Sequence, residues 1–310
     1  MWIYRHTRVS YPRTMGRYLV GGALLVCACH AKLDDLPSEQ ASPDGGIVTT
    51  QDDAPPAVDA FVLPPWPSPA KVTGASANGI EEDDGTLSST TLELVFAVAT
   101  ANGKDLYHAT RTSPTSAWST PQRLGFNVTD ASDETPRFAD GDLTLYFASG
   151  RAGGAGDLDI YRVTRPAIGG AWSAPQNVAG PNSAAAEKWF AICEGNRYLV
   201  IRGADIFEGT LGGGAPTVNA TLSLPAAAET GSFLSEDCLT AYYSTVTNNV
   251  RRIFTSTRPT AGGAWATPTQ VTDFAALGGD QEDPWISGDG RTFLLTSNVG
   301  GTKDVYIVTR

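Results

Sequence analysis

Three observations in the 310-residue sequence predict an all-β chain folded as a five-bladed β-propeller of four-stranded blades. A unit recurs every 42–54 residues, and each copy holds four strand-like segments. No segment keeps a helical period for three turns. The composition, 41% hydrophobic and 9% aromatic, is ample for a packed core and excludes wholesale disorder. A formal charge of −11 argues against nucleic acid as a partner, because phosphate binding needs clustered Lys and Arg. Only three histidines are present, and His6 lies in a leader. His30 and His108 are too few for the usual His-rich zinc site.

Residues 1–19 carry Arg5, Arg8, Arg13 and Arg17 and no acid, and a short apolar run, 18–26, follows. The run falls far short of the ~20 residues that span a bilayer and fits a secretory leader. Its end, Val26-Cys27-Ala28-Cys29, resembles a bacterial lipobox, with small Ala28 before the cysteine that is acylated. Cys27 follows the bulkier Val26, so Cys29 is the expected lipidation site. The reading is a lipoprotein signal peptide over 1–28, with Met15 as an alternative start. The plain alternative is a secretory signal with incidental cysteines. A lipid at Cys29 would hold an exported protein in the bacterial cell envelope, at the outer membrane, since each buried CH₂ contributes about 0.8 kcal/mol. Removing residues 1–28 takes the charge from −11 to −15. Residues 29–63 are rich in acids and proline and poor in large apolar side chains, which predicts a disordered acidic tether. The propeller is expected over 64–310.

Two markers define the copies. The first is Asp-aliphatic-aromatic: Asp105-Leu106-Tyr107, Asp159-Ile160-Tyr161, Asp205-Ile206-Phe207 and Asp304-Val305-Tyr306, with Arg252-Ile253-Phe254 lacking the acid. The second is Trp followed three residues on by Pro: Trp118 and Pro121, Trp172 and Pro175, Trp265 and Pro268. The shortened third copy carries Gly212-Gly213-Gly214-Ala215-Pro216 instead. In the second copy, strands are expected at about 135–139, 143–149, 158–164 and 174–179, where β-branched and aromatic residues alternate between turns. The last copy stops at its third strand, Ile307-Val308-Thr309-Arg310. Trp66 to Val72 aligns without gaps to Trp118 to Leu124. The N-terminal segment is therefore expected to supply the outer strand of the final blade, hiding two edges that would otherwise template aggregation.

The run DETPRF-ADGDLTLYFASGRAGGAGDLDIY, residues 133–161, resembles the bacterial TolB-like, WD-type β-propeller repeat. The match is close in the second copy, fair in the fifth and eroded in the others. The resemblance implies the fold, and a place among periplasmic and surface proteins that bind partners. It specifies no ligand.

The best candidate site is a set of acids. Counting four residues back from Thr86, Phe138, Ala191, Phe233 and Ile286 gives Glu82, Glu134, Glu187, Glu229 and Glu282, at the loop entering each innermost strand. Asp83, Asp84, Asp133 and Asp283 adjoin them. The architectural reading has each Glu accepting backbone N–H groups to hold its repeat. The functional reading is a cation site at one channel mouth, with Ca²⁺ neutralising the converging carboxylates. A catalytic reading has Glu82, Glu134 and Glu187 serving a glycoside hydrolase, which needs paired carboxyls. Against it, one residue type recurring in every blade does not provide the distinct environments that separate an acid from a base. Among other features, Trp189 and Trp285 are candidates for lining a sugar or peptide site, and Trp118, Trp172 and Trp265 for packing between blades. His108 reads as a half-exposed strand residue. Gly153-Gly154-Ala155-Gly156 precedes a strand and is no phosphate loop.

Cys193 and Cys238 both fall at the hairpin joining the first and second strands, in adjacent copies. Export to an oxidising compartment predicts a disulfide between them. The functional expectation is a non-catalytic binding or scaffolding module for a protein or an envelope polysaccharide.

Overall fold

Each repeat folds into one antiparallel sheet, and five four-stranded sheets make the propeller. The computed structural model describes residues 63–74, 79–224 and 227–310, all within the unit Ala60–Arg310. The expected leader, Cys29 and the tether as far as residue 62 lie outside the described residues.

In chain order the first strand is β1 (Ala70–Lys71). Blade 1 comprises β2 (Glu82–Leu87), β3 (Glu93–Thr100), β4 (Gly103–Thr110) and β5 (Gln122–Arg123). Blade 2 comprises β6 (Asp133–Ala139), β7 (Thr144–Ser149), β8 (Asp159–Thr164) and β9 (Gln176–Asn177). Blade 3 holds β10 (Glu187–Ile192), β11 (Arg197–Arg202), β12 (Asp205–Thr210) and β13 (Thr217–Val218). Blade 4 holds β14 (Thr230–Leu234), β15 (Thr240–Thr247), β16 (Val250–Thr257) and β17 (Thr269–Gln270). Blade 5 is built from β18 (Gln281–Ile286), β19 (Thr292–Ser297) and β20 (Asp304–Thr309), with β1 as its outer strand. Helical structure among the described residues is limited to two three-residue 3₁₀ turns, Glu194–Asn196 and Ala275–Leu277.

The apolar faces pack between neighbouring sheets. Val95, Ala97 and Leu106 of blade 1 meet Leu145, Phe147 and Val163 of blade 2, all fully buried. A second device repeats in four blades. The arginine ending the third strand stacks on the tryptophan of the outer-strand motif: Arg111 on Trp118 at 4.4 Å, Arg165 on Trp172 at 4.4 Å, Arg258 on Trp265 at 4.1 Å and Arg310 on Trp66 at 3.9 Å. Each Arg Nε also donates to a hairpin carbonyl of its own blade, on Thr91, Asp142, Cys238 and Gly290 respectively. The Trp motif is thus a packing element, and its arginine partner ties the outer strand to the inner hairpin.

At the seam Ala70 faces Ile307 and Lys71 faces Tyr306. The gap-free alignment has matching chemistry. Lys71 pairs with Asp304 at 2.7 Å where Arg123 pairs with Asp105 at 2.7 Å. Val72 N–H donates to Val305 O where Leu124 N–H donates to Leu106 O.

Cys193 and Cys238 form a disulfide between the first hairpins of blades 3 and 4, with Cα atoms 5.4 Å apart. Beside it, Glu194 N–H donates to Glu236 O at 2.9 Å. These hairpins lie on the face opposite the N-terminal ends of the innermost strands, which form the mouth of the central channel.

Candidate functional site

A β-bulge interrupts all five innermost strands. Register shifts fall between Asp83 and Thr86, Glu134 and Arg137, Lys188 and Ala191, Thr230 and Phe233, and Glu282 and Trp285. The bulged residue has a left-handed φ in every blade: Asp84 (57°), Thr135 (53°), Trp189 (48°), Gly231 (61°) and Asp283 (52°). Four of these five are not glycine, so the ring of neighbours holds a conformation that costs about 1–3 kcal/mol each. The bulge also moves the start of blade 2's inner strand to Asp133, two residues before the expected 135.

Aligned on the bulge, the expected ring of five glutamates divides. Glu82, Glu187 and Glu229 share a row with Asp133 and Gln281, whereas Glu134 and Glu282 share the next row with Asp83, Lys188 and Thr230. Phe138 and Ile286, used for the count, stand one residue beyond the equivalents of Thr86, Ala191 and Phe233. A one-residue offset in a strand reverses the face that a side chain occupies. The five carboxylates therefore do not stand in one row; among the described residues the acids close enough to share one cation are instead Asp83, Asp84 and Asp283, and Glu134 stands in a different row from Glu82 and Glu187.

The first row is architectural. Asp133 accepts Val128 N–H at 2.8 Å and pairs with Arg151 at 2.7 Å. Glu187 accepts Ser183 N–H at 2.9 Å and pairs with Arg202 at 2.7 Å. Glu229 accepts Leu224 N–H at 3.1 Å, and Gln281 Nε2 donates to Phe274 O at 2.9 Å. Each ties the incoming loop to its blade, and Glu82 is buried at the same position.

The second row and the bulge residues build the mouth. Lys104 Nζ donates to Asp83 at 2.5 Å and Asp84 at 3.4 Å, and lies 3.9 Å from Glu134. Lys188 reaches Glu134 at 3.2 Å, Lys303 reaches Glu282 at 3.3 Å and Asp83 at 3.7 Å, and Arg251 lies 3.5 Å from Glu282. Charges thus alternate around the channel, linking all five blades. The cations are the outer layer, with Lys104, Lys188, Lys303 and Arg251 side chains 23–30% exposed, whereas the acids beneath are nearly sealed.

Below them Asp83, Asp84 and Asp283 bring carboxylate oxygens within 4.8 Å of one another. A cation could bridge such a set, but the Lys104 ammonium already supplies the counter-charge, and no metal is assigned. Burial, then the Asp84 charge, push the Asp83 carboxyl well up against the pull of Lys104. Burial would also raise Asp84, yet Lys104, the Trp189 N–H, Lys303 and Lys188 outweigh it and hold Asp84 below the usual range. Asp283 is pushed up to about 7 by burial, then by Asp84 and Glu282.

Arg137, buried in blade 2, closes the channel underneath. Its guanidinium donates to the carbonyls of Gly85 (3.0 Å), Pro136 (3.4 Å), Ser232 (3.5 Å) and Pro284 (3.4 Å), on four different blades. Burial lowers its basicity, and Asp283 and Asp84 above oppose that.

Trp189 lies in the mouth, its indole N–H shared between Asp84 and Asp283. Trp285 instead packs in the core against Phe233, with ring centroids 6.4 Å apart. His108 is a strand residue 2.9 Å from Glu93. A cleft of about 530 Å³, lined by Gly125, Phe126 and Ala171–Pro175, contains none of the mouth residues. The lysines and Arg137 escaped the sequence reading. The available signal was that three of the chain's five lysines, Lys104, Lys188 and Lys303, stand beside repeat markers or at strand starts.

Fold and site together define a five-bladed β-propeller whose channel is closed by a charged, hydrogen-bonded mouth. No family model and no curated protein matches the chain. Among solved structures it is similar to an endo-arabinase from Bacteroides thetaiotaomicron VPI-5482, 13% identical over 76% of this chain and 96% of that one, with a TM-score of 0.54. It is also similar to a GH43 endo-arabinanase from Bacillus licheniformis, 10% identical over 75% and 94%, with a TM-score of 0.52. A TolB protein from Agrobacterium tumefaciens is 13% identical over 70% and 69%, with a TM-score of 0.46. At these identities the likeness is one of fold alone.

Proposed function

We propose that this chain is an exported cell-envelope lipoprotein whose propeller is a non-catalytic binding or scaffolding module for a protein or an envelope polysaccharide. The observation that carries this reading is the sealed channel. Asp83, Asp84 and Asp283 are 1%, 1% and 2% exposed, beneath Lys104 and Trp189 and above the Arg137 plug. Glycoside hydrolysis needs two carboxyl groups about 5–5.5 or 6.5–9.5 Å apart with the sugar between them. Three buried carboxylates with oxygens within 4.8 Å of one another, under a lysine and an indole, favour a sealed cluster over a pair that flanks a sugar. A partner instead meets the outer rim, where Lys188, Lys303 and Arg251 adjoin hairpins carrying the exposed Val246 and Val299.

A hydrolase reading has one observation in its favour. Asp84 is held down while Asp283 is raised, the divergence an acid and base pair requires. Assays on arabinan and xylan separate the two. We expect no turnover, whereas turnover abolished by Asp84→Asn would overturn the binding reading. Crosslinking of the full chain in its native envelope, followed by pull-down, should capture a discrete partner. Anchoring is tested by Cys29→Ala, which should move the protein from membranes to the soluble fraction. Unchanged membrane retention would remove the lipoprotein assignment.

A further inference from the structure

Asp84 and Asp283 occupy the same bulge position in blades 1 and 5, which are neighbours in the ring. Both accept the single indole N–H of Trp189, at 2.8 and 3.0 Å, and Asp84 N–H lies 3.4 Å from Asp283 Oδ2. The cations are unequally shared. Asp83 has Lys104 and Lys303, and Asp84 has Lys104. Asp283 makes no ion pair among the described residues. The groups facing it are Asp83 and Asp84 of β2, Lys104 of β4, Arg137 of β6, Trp189 of β10, its neighbour Glu282, and Lys303 before β20. Two ionised carboxylates in a closed site, sharing one indole N–H donor, repel each other across the interface of blades 5 and 1. One proton turns that repulsion into a favourable contact.

We propose that Asp283 holds a proton in the folded protein from acid up to about neutral pH, and that this proton latches blade 5 to blade 1 above the channel plug. The latch is independent of the ligand that the mouth takes. Burial and the Asp84 charge raise the Asp283 carboxyl to about 7, consistent with this geometry. An unfolded aspartate titrates near 3.9, so the folded chain holds the extra proton between these values. The stabilisation is complete below about pH 4 and is lost as pH rises through about 7.

The experiment compares thermal unfolding of the full chain and of Asp283→Asn from about pH 5 to about pH 9. Asparagine keeps the shape of the neutral acid and cannot ionise. The parent Tm should fall by several degrees over this range while that of Asp283→Asn falls clearly less, any slope from the buried Asp83 carboxyl being present in both. Parallel curves would overturn the proposal. If Asp283→Asn fails to fold, the pH-dependent fluorescence difference between the parent and Trp189→Phe serves instead. A single inflection near neutrality supports the latch, and a flat difference overturns it.

Discussion

The Arg310 guanidinium lies 3.9 Å from the centre of the Trp66 ring, so residues from opposite ends of the domain close one blade. Arg310 also donates to Pro64 O at 3.1 Å, and β1 itself contributes only the pairs Ala70–Ile307 and Lys71–Tyr306. Trp66→Ala should therefore destabilise the domain by about 2–3 kcal/mol, through lost packing and the lost cation–π contact. Denaturant titration should show a lower midpoint, and a larger loss than Trp118→Ala, whose blade has no seam to hold. An equal or smaller loss would contradict the closure role.

The disulfide joins blades 3 and 4 across a separation of 45 residues. The chain-entropy estimate for such a loop is about 3–4 kcal/mol. The double variant Cys193→Ser/Cys238→Ser should lose stability of that order, read as a lower unfolding midpoint. Thiol counting on the denatured, unreduced domain should find none; two free thiols would rule the bridge out.

The division of the glutamates predicts two kinds of variant. Glu187→Gln weakens the pairing with Arg202 and the anchoring of Ser183, and should cost about 1–3 kcal/mol of stability. Glu134→Gln, in the mouth, removes one partner from the half-exposed Lys188 and should cost less, while altering capture of the binding partner. Equal stability losses at both positions would return the two residues to one role.

A last prediction concerns acid. Burial alone would raise Glu93, but His108 and the two-pronged Arg165, with both contacts at 2.7 Å, hold it down to about 2. Because the folded value lies below the unfolded one, this contribution is present above about pH 4.5 and is lost as pH falls towards 2. Glu93→Gln should flatten that acid limb of the stability curve while leaving the neutral limb unchanged. An unaltered acid limb would show that the pairing contributes nothing.

Repeat length, strand count and ring closure were legible because they rest on local pattern. Asp-aliphatic-aromatic marks the third strand, and Trp-x-x-Pro the approach to the fourth, whichever blade they occur in. The pairing of Cys193 with Cys238 was legible for a related reason: both fall at the hairpin joining the first and second strands, one before the turn and one after it, in adjacent repeats. The mouth was not. Its register depends on a bulge at Asp84, Thr135, Trp189, Gly231 and Asp283, residues with no common chemistry. Apolar alternation cannot locate an inserted residue, so the glutamates were counted one position out in two blades.

What the sequence determined alone is the blade, a unit specified by short-range alternation and turns. Which carboxylates face the channel was decided only by tertiary structure. Five bulged strands converge there, so side chains find neighbours on other blades: Lys104 reaches Glu134, Trp189 reaches Asp84 and Asp283, and Arg137 reaches carbonyls on three other sheets. These contacts join residues 30 to 147 positions apart, beyond the reach of any local pattern.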